Sequence, residues 1–146
     1  MTRVDFYILP DVDEIARHRF TSRLAARAVA AGNRVYVRAE PGAVEPLDEL
    51  MWDYPPAQFL PHAPSGRTDG ERGGITPPVT IGSDADEPDG GDMMINLAPD
   101  IPAFLARFER VAEVVLAPQR ATGRAKYRQY RDRGYRLFHH ELDDWE

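Results

Sequence analysis

The chain has 146 residues, 42% of them hydrophobic, a formal net charge of −6 at pH 7 and no cysteine. The length and hydrophobic fraction predict one folded domain with a sizeable core, and the lack of cysteine excludes disulfides, thiolate metal sites and a thiol nucleophile. No apolar run approaches the roughly 18 residues of a membrane span, and the N-terminal MTRVDFYIL has no small-residue cleavage site, so we expect a cytoplasmic protein.

Short apolar segments alternate with amphipathic ones along the chain. The predicted strands are residues 4–9, 34–38, a short segment at 59–60, 79–81, 93–97, 113–116 and 135–142. A first predicted helix begins at Asp11 or Asp13, carries Ile15 and ends at Gly32. Further helices are predicted from residue 46 through 52, from 99 through 108, and over 119–133 up to Gly134.

This alternation predicts a single α/β domain over residues 1–146, with three layers and a mostly parallel open sheet. Residues 64–92 interrupt the pattern with seven glycines, four prolines and several aspartates, so we expect mostly loop there. Within it, SDADEPDGGD has two aspartates at the first positions of a calcium-binding loop, but a proline, an aspartate and an isoleucine replace later required residues. The sequence therefore predicts no metal site.

The fold class raises the question of a nucleotide or an enzyme. The first strand-to-helix turn, LPDVDEI, has no glycine and places acids where a pyrophosphate would need backbone donors. No phosphate-binding loop motif or nucleophile elbow occurs. His62, beside the glycine-rich stretch, is the one candidate for catalysis, and an anchoring role suits it better. We expect a Rossmann-like fold with no nucleotide site, no cofactor and no catalytic residues.

Positive charge is concentrated near the C-terminus. Residues 120–136 hold seven of the 18 basic residues and one of the 24 acidic residues. On a helix at 100° per residue, four arginines form one stripe. Glycines and tyrosines, among them Tyr127, form the adjoining stripe. The four arginines are Arg120, Arg124, Arg128 and Arg131.

Two anionic partners fit such a helix. Single-stranded nucleic acid would place phosphates on the arginines and bases on the tyrosines. An acidic peptide would place carboxylates on the arginines and an apolar side chain in a neighbouring pocket. The acidic remainder of the chain would repel a long polyanion, so the peptide is favoured. A solvated, non-functional helix face is the third interpretation.

Several segments, taken in order, resemble the chi subunit of bacterial DNA polymerase III holoenzyme. They are VDFYIL, LDELMWDYPPAQFLPH, the following Gly73-Gly74 loop, PVTIG, MMINL and RAKYRQYRDRGY. The resemblance covers nearly the whole chain. It implies a non-enzymatic accessory subunit that links single-stranded DNA-binding protein to the clamp loader and reaches DNA only through that protein.

The resemblance also implies where partners bind. The family's last helix holds the acidic C-terminal tail of single-stranded DNA-binding protein, which ends in Pro-Phe, and an apolar pocket takes the phenylalanine. The motif assigns Arg124, Tyr127 and Arg128 to that site. Val115 would line the pocket, and Arg120 matches a family lysine. Arg131 extends the site along the arginine stripe.

A second family surface binds the psi subunit, which leads to the clamp loader, and can engage a repair helicase instead. Trp52 and Phe59 match its aromatic anchors. A buried core position is the alternative for Trp52.

Overall fold

The computed structural model describes residues 2–54, 60–64, 77–83, 88–143 and 145. Within them, seven strands form one sheet in the order β3-β4-β2-β5-β6-β1-β7, and every pair of neighbours is parallel. The strands are β1 Arg3–Ile8, β2 Val35–Arg38, β3 His62–Pro64, β4 Val79–Gly82, β5 Gly91–Asn96, β6 Phe108–Val115 and β7 Arg136–Glu141.

Three α-helices connect the strands in the described part of the chain: α1 Glu14–Ala30, α2 Val44–Asp53 and α3 Arg120–Asp132. α1 ends at Gly32, whose φ of 93° is in the left-handed region that glycine adopts without strain. α3 ends in the same way at Gly134, with φ 84°. Short 3-10 turns at Pro41–Ala43, Ala103–Arg107 and Ala117–Gln119 complete the connections.

The two faces of the sheet bury separate apolar clusters. On one face, Ala25 of α1 and Leu47 of α2 pack against strand residues such as Val37. On the other, Tyr130 of α3 and Leu105 of the 103–107 turn pack against Phe6 and its neighbours. The predicted three-layer α/β fold is confirmed, and the sheet is parallel throughout.

One predicted helix is wrong. Residues 99–108 form a single 3-10 turn, Ala103–Arg107, and Phe108 already begins β6. The apolar spacing of Phe104, Leu105 and Phe108 imitates a helix face over one turn, which is too short to outweigh pairing of Phe108–Val115 with two neighbouring strands. β6 is accordingly longer than the predicted strand 113–116.

Two smaller expectations also change. Ile15 was expected on the apolar face of α1, but its side chain is 58% exposed, and Thr21 and Ser22 take buried positions instead. The third strand is His62–Pro64 rather than residues 59–60. Leu60 is buried just before it, and Phe59 lies outside the described residues.

A buried carboxylate ties the edge strand β7 to β1. Asp5, 1% exposed, accepts hydrogen bonds from Arg3 at 3.1 Å and from Arg110 at 3.4 Å, and lies 3.0 Å from Nε2 of His140. Burial alone would raise the pKa of Asp5, but the hydrogen bonds from His140 and Arg3 outweigh it and hold the pKa below its ordinary value of 3.8.

Asp5 should therefore make folding stability depend on acid. Because its folded-state pKa is depressed, its contribution is complete above pH 3.8, the unfolded value, and is lost as the pH falls through the folded pKa. We expect Asp5→Asn to be less stable than the parent chain near neutrality and to show a flatter loss of stability in acid. Urea unfolding monitored by circular dichroism across this range measures the difference. If the stability of both proteins fell in parallel with pH, Asp5 would not be responsible for the loss of stability in acid.

Candidate functional site

The arginine helix α3 lies across β6, β1 and β7 with one face buried. Gly123, Lys126 and Tyr130 are buried, and Tyr127 is partly buried. The ring of Phe6 on β1 anchors the helix, with its centroid 5.4 Å from that of Tyr127 and 5.9 Å from that of Tyr130. α3 carries the two predicted stripes, with the four arginines exposed and with Gly123, Tyr127 and Tyr130 of the adjoining stripe against the sheet.

Gly123 brings the helix close to the sheet. A Cβ atom at this position would lie 3.2 and 3.3 Å from the two methyl groups of Val115, tighter than ordinary van der Waals contact. The absence of a side chain thus sets the spacing between α3 and the end of β6. It leaves Val115 at the floor of a groove beside the helix.

That groove holds a cavity of about 300 Å³ whose exposed lining is mainly apolar. It brings together four predicted site residues, namely Val115, Arg120, Arg124 and Tyr127. Other lining residues were not predicted: Phe6, Ile8, Gly123, His139 and Glu141. We name this cavity with its arginine rim the α3 groove.

The remaining predicted residues, Arg128 and Arg131, lie on the exposed side of α3, outside the lining. Alternation along β1 could have indicated that Phe6 and Ile8 share a face. Nothing in the sequence indicated that β7 lies beside β1 and brings His139 to the groove. His139 and His140 lie on opposite faces of the sheet, as predicted. His139 lines the groove, whereas His140 stacks on Tyr7 on the other face, with 4.8 Å between ring centroids.

The arginines differ in their contacts. Arg120 lies 3.6 Å from Glu141 and Arg131 lies 3.6 Å from Asp132, and these four side chains are 45–73% exposed. Exposed pairs of this kind contribute little, about 0–1 kcal/mol. Arg124 and Arg128 form no salt bridge with any carboxylate in the described part of the chain. Their guanidinium groups can therefore bind an external anion without first breaking an internal pair.

Lys126 was counted with the positive charges of this helix, but it is not on the surface. Its Nζ donates to Glu113 at 2.8 Å and to the carbonyl of Ala98 at 2.6 Å, and both charged side chains are at least 93% buried. Glu113 also accepts from Tyr130 at 2.7 Å. Burial, and then the adjacent Glu113 charge, raise the pKa of the Tyr130 phenol far above its ordinary value.

The same network extends into a crevice at the carboxyl ends of the strands. Parallel α/β sheets usually bind ligands in such a crevice, at the point where the strand order reverses. Here that point lies between β2 and β5. Asn96 donates to Glu113 at 2.9 Å, and Arg38, 3% exposed, donates to Asn96 at 3.2 Å and pairs with Asp100 at 3.0 Å. The polar side chains of this crevice are therefore bonded to one another.

The family model described as DNA polymerase III chi subunit, HolC, matches residues 1–138. The chain belongs to the DNA polymerase III chi subunit family. Its role is thus that of an accessory subunit in DNA replication.

Individual relatives agree with this membership. The chain is 38% identical over 147 residues to the DNA polymerase III subunit chi of Pseudomonas aeruginosa, with 97% of this chain and 98% of the relative covered. It is 28% identical to the chi subunit of Haemophilus influenzae, over 90% and 92% of the two chains. The crystal structure of T4 UvsW matches with a TM-score of 0.68 at 8% identity, over 97% of this chain and 42% of that one, which shows a shared fold alone.

The second surface expected of a chi subunit is partly described. Trp52, on α2, is 54% exposed, and its ring lies over that of His62 with 4.3 Å between centroids. Trp52 is therefore not a core residue. Phe59, its expected companion in the interface, lies outside the described residues.

His62 itself is an anchor for this region. It is 4% exposed, its Nδ1 lies 2.6 Å from the carbonyl of Leu60, and its Nε2 lies 2.9 Å from that of Asp48. Both ring nitrogens are engaged by backbone groups, which favours the anchoring interpretation over catalysis. In the described ranges, no three His, Cys, Asp or Glu residues are placed to hold a metal ion.

The described helices also bear on the membrane question. None of them combines the length and the apolar character that a bilayer crossing requires.

Proposed function

We propose that this chi-family chain is a non-enzymatic adaptor of the cytoplasm that binds the acidic C-terminal tail of single-stranded DNA-binding protein in the α3 groove. It links that protein to the clamp loader of DNA polymerase III. The observation that carries the proposal is an apolar cavity of about 300 Å³ directly beside the guanidinium of Arg124, which forms no salt bridge with a carboxylate of the described residues.

The groove suits a tail that is acidic and apolar at once. Val115, Phe6 and Tyr127 present apolar surface to a terminal phenylalanine, and Gly123 lets α3 pack closely on Val115 at the floor of the groove. Burying an aromatic ring in such a cavity supplies roughly 1.5–3 kcal/mol. This contact selects an apolar residue at the end of the tail.

The rim of the groove suits carboxylates. Arg124 lines the cavity, and Arg128 follows one turn later on the exposed side of the helix. Hydrogen bonds from a guanidinium to a carboxylate are stronger than neutral ones and are often bidentate. We assign the terminal carboxylate and acidic side chains of the tail to Arg124 and Arg128, with Arg120 and Arg131 as weaker flanking contacts.

The clamp-loader side of the adaptor uses a different surface. Trp52 is exposed on α2, on the opposite face of the sheet from α3. We propose that Trp52 and Phe59 contact the psi subunit or a clamp-loader subunit, and that a repair helicase can use the same surface. Two partners on opposite faces can bind at the same time, as an adaptor requires.

Titration calorimetry with two peptides tests the tail-binding step. We expect an acidic peptide ending in Pro-Phe to bind, and the same peptide without the terminal phenylalanine to bind at least about tenfold more weakly, because the buried ring contributes more than 1.4 kcal/mol. Binding should weaken with salt, since the guanidinium contacts are partly exposed. No heat at low salt, or equal binding of both peptides, would overturn the proposal.

The second candidate is direct binding of single-stranded nucleic acid by α3. The observation that favours it is the row of exposed arginines beside the partly buried Tyr127. A gel shift with an oligonucleotide and no partner protein distinguishes direct nucleic-acid binding from tail binding. Tight, strongly salt-dependent binding that is lost when Arg124 and Arg128 are replaced would favour this candidate.

A further inference from the structure

The face of the sheet opposite α3 carries a second concentration of positive charge, at the edge formed by β1 and β7. Alternation along the strands puts Arg3, Asp5 and Tyr7 of β1 on this face with Arg136, Phe138 and His140 of β7. Arg110 of β6 lies beside them, hydrogen-bonded to Asp5. The side chains of Arg3, Arg110 and His140 are 40–43% exposed.

Cations and aromatic rings alternate across this face. The guanidinium of Arg3 lies 4.0 Å from the centre of the Phe138 ring, and that of Arg136 lies 5.7 Å from it. Tyr7 and His140 are stacked nearly in parallel, at 18°. The rings and guanidinium planes thus form a floor of flat groups on exposed sheet.

Helix α1 adds a wall to the floor. Arg23 and Arg27 project from it toward a cavity of about 470 Å³ that Tyr7, Phe20 and Trp145 also line. Arg23 donates to the backbone carbonyl of Trp145 at 2.8 Å, a contact that leaves its charge unneutralised. Nε1 of Trp145 in turn donates to Asp11 at 2.8 Å.

Arginines outnumber carboxylates in this region, where Asp11 accepts the hydrogen bond from Trp145. Five arginines, Arg3, Arg23, Arg27, Arg110 and Arg136, face one carboxylate in the floor, Asp5, which is buried and already holds Arg3 and Arg110. The chain as a whole carries −6. In the described structure, Asp5 thus orients the floor arginines and leaves most of their charge available to a ligand.

We propose that this β1–β7 face binds single-stranded nucleic acid. Phosphates would lie on Arg136, Arg27 and their neighbours, and bases would stack on Phe138 and on the guanidinium planes. Proteins that bind single strands without sequence preference combine these elements: a positive groove for the backbone and flat groups for the bases.

An acidic peptide fits this face less well. Carboxylates would use the arginines, but an Asp-rich or Glu-rich tail has no flat groups to place on Phe138 and His140. The apolar cavity that suits a terminal phenylalanine lies on the other face of the sheet, under α3. The floor from Arg3 to Tyr7 spans about 13 Å at 3.3 Å per residue, so the site is short. It adds a direct contact with nucleic acid to the indirect one made through single-stranded DNA-binding protein.

Fluorescence anisotropy of labelled oligo(dT), with the full chain at about 50 mM salt, tests this inference. We expect a dissociation constant of roughly 10⁻⁴ to 10⁻⁶ M, as for non-specific binding. Arg136→Gln should weaken binding about threefold or more and reduce the salt slope by about 0.7, the value for one phosphate contact to a single strand. Phe138→Leu should weaken it at least about fivefold through lost stacking.

The matched control is Arg133→Gln, which makes the same charge change at an exposed position just beyond α3. It should alter affinity less than about twofold if the contact is local. The double variant Arg124→Gln/Arg128→Gln tests whether α3 is responsible instead. Circular dichroism of each variant establishes that it is folded.

Four outcomes overturn the inference. One is anisotropy that stays flat up to about 10⁻³ M protein. Another is equal weakening by Arg136→Gln and Arg133→Gln. The third is loss of binding only in the α3 double variant, which moves the site to the other face. The last is full competition by oligo-glutamate together with an unaffected Phe138→Leu variant, which identifies an acidic polypeptide as the occupant.

Discussion

Replacing Lys126 by methionine is expected to cost roughly 3–5 kcal/mol of the free energy of unfolding, the range for removing one partner of a buried ion pair. The lysine Nζ lies 2.8 Å from Glu113, and the side chain of Glu113 is only 2% exposed. Methionine matches the lysine side chain as far as Cε and lacks only the ammonium, so apolar packing changes little. What is lost is the positive charge that compensates a carboxylate held away from water. Urea unfolding gives the difference.

Two further variants show whether the charge is responsible. Glu113→Gln/Lys126→Met removes both charges and should recover most of the loss, because neutral replacement of a buried pair is often close to neutral in stability. Arg128→Met makes the same kind of change at an exposed position two residues away and should cost less than about 0.5 kcal/mol. A Lys126→Met protein as stable as Arg128→Met would mean that Glu113 is not a buried charge in need of a partner.

The burial of Lys126 was not predicted from the sequence. On a helical projection the arginine stripe was found correctly, because apolar and charged residues separate at 100° per residue. Lys126 was counted among the seven basic residues of residues 120–136, and lysine is usually exposed. A signal was present in the predicted strand 113–116: Glu113 is a charged residue at the start of an otherwise apolar run, EVVL. A buried carboxylate requires a buried partner.

Local patterns predicted the alternation of strands and helices, but not the order of the strands. β1 lies between β6 and β7 because the crossover from β6 to β7 passes over it, and no local pattern contains that information. The groove depends on this order: Phe6 and Ile8 come from β1, His139 and Glu141 from β7, and Val115 from β6. The helix and its arginines were therefore predictable, whereas most of the apolar wall opposite them was not.

The β1–β7 face illustrates the same limit. Arg3, Arg110 and Arg136 are far apart in the sequence, and each looks like an ordinary exposed charge. Parallel pairing places Arg3 opposite both Arg110 and Arg136 in register. Only the tertiary structure brings their charges to one surface.

Replacing Arg124 by alanine is expected to weaken binding of an acidic peptide ending in Pro-Phe by about 1.5–3 kcal/mol, the contribution of a hydrogen bond to a charged group. This corresponds to roughly 10- to 150-fold in the dissociation constant. Arg124 lines the α3 groove and has no carboxylate partner in the described structure, so no internal contact offsets the loss. Arg128→Ala should have an effect in the same range. Titration calorimetry measures both.

Arg133→Ala is the matched control, because it removes the same charge from an exposed position just past the end of α3. If only long-range electrostatic attraction operated, all three variants would weaken peptide binding equally, and the weakening would disappear as the salt concentration rises. Contact in the groove predicts a large effect for Arg124 and Arg128, a small one for Arg133, and a difference that persists at higher salt. The peptide without its terminal phenylalanine is a further control. Because the buried ring positions the carboxylate that Arg124 holds, Arg124→Ala should reduce the affinity for the shortened peptide by less than for the full peptide. Equal losses against both peptides would place Arg124 outside the site.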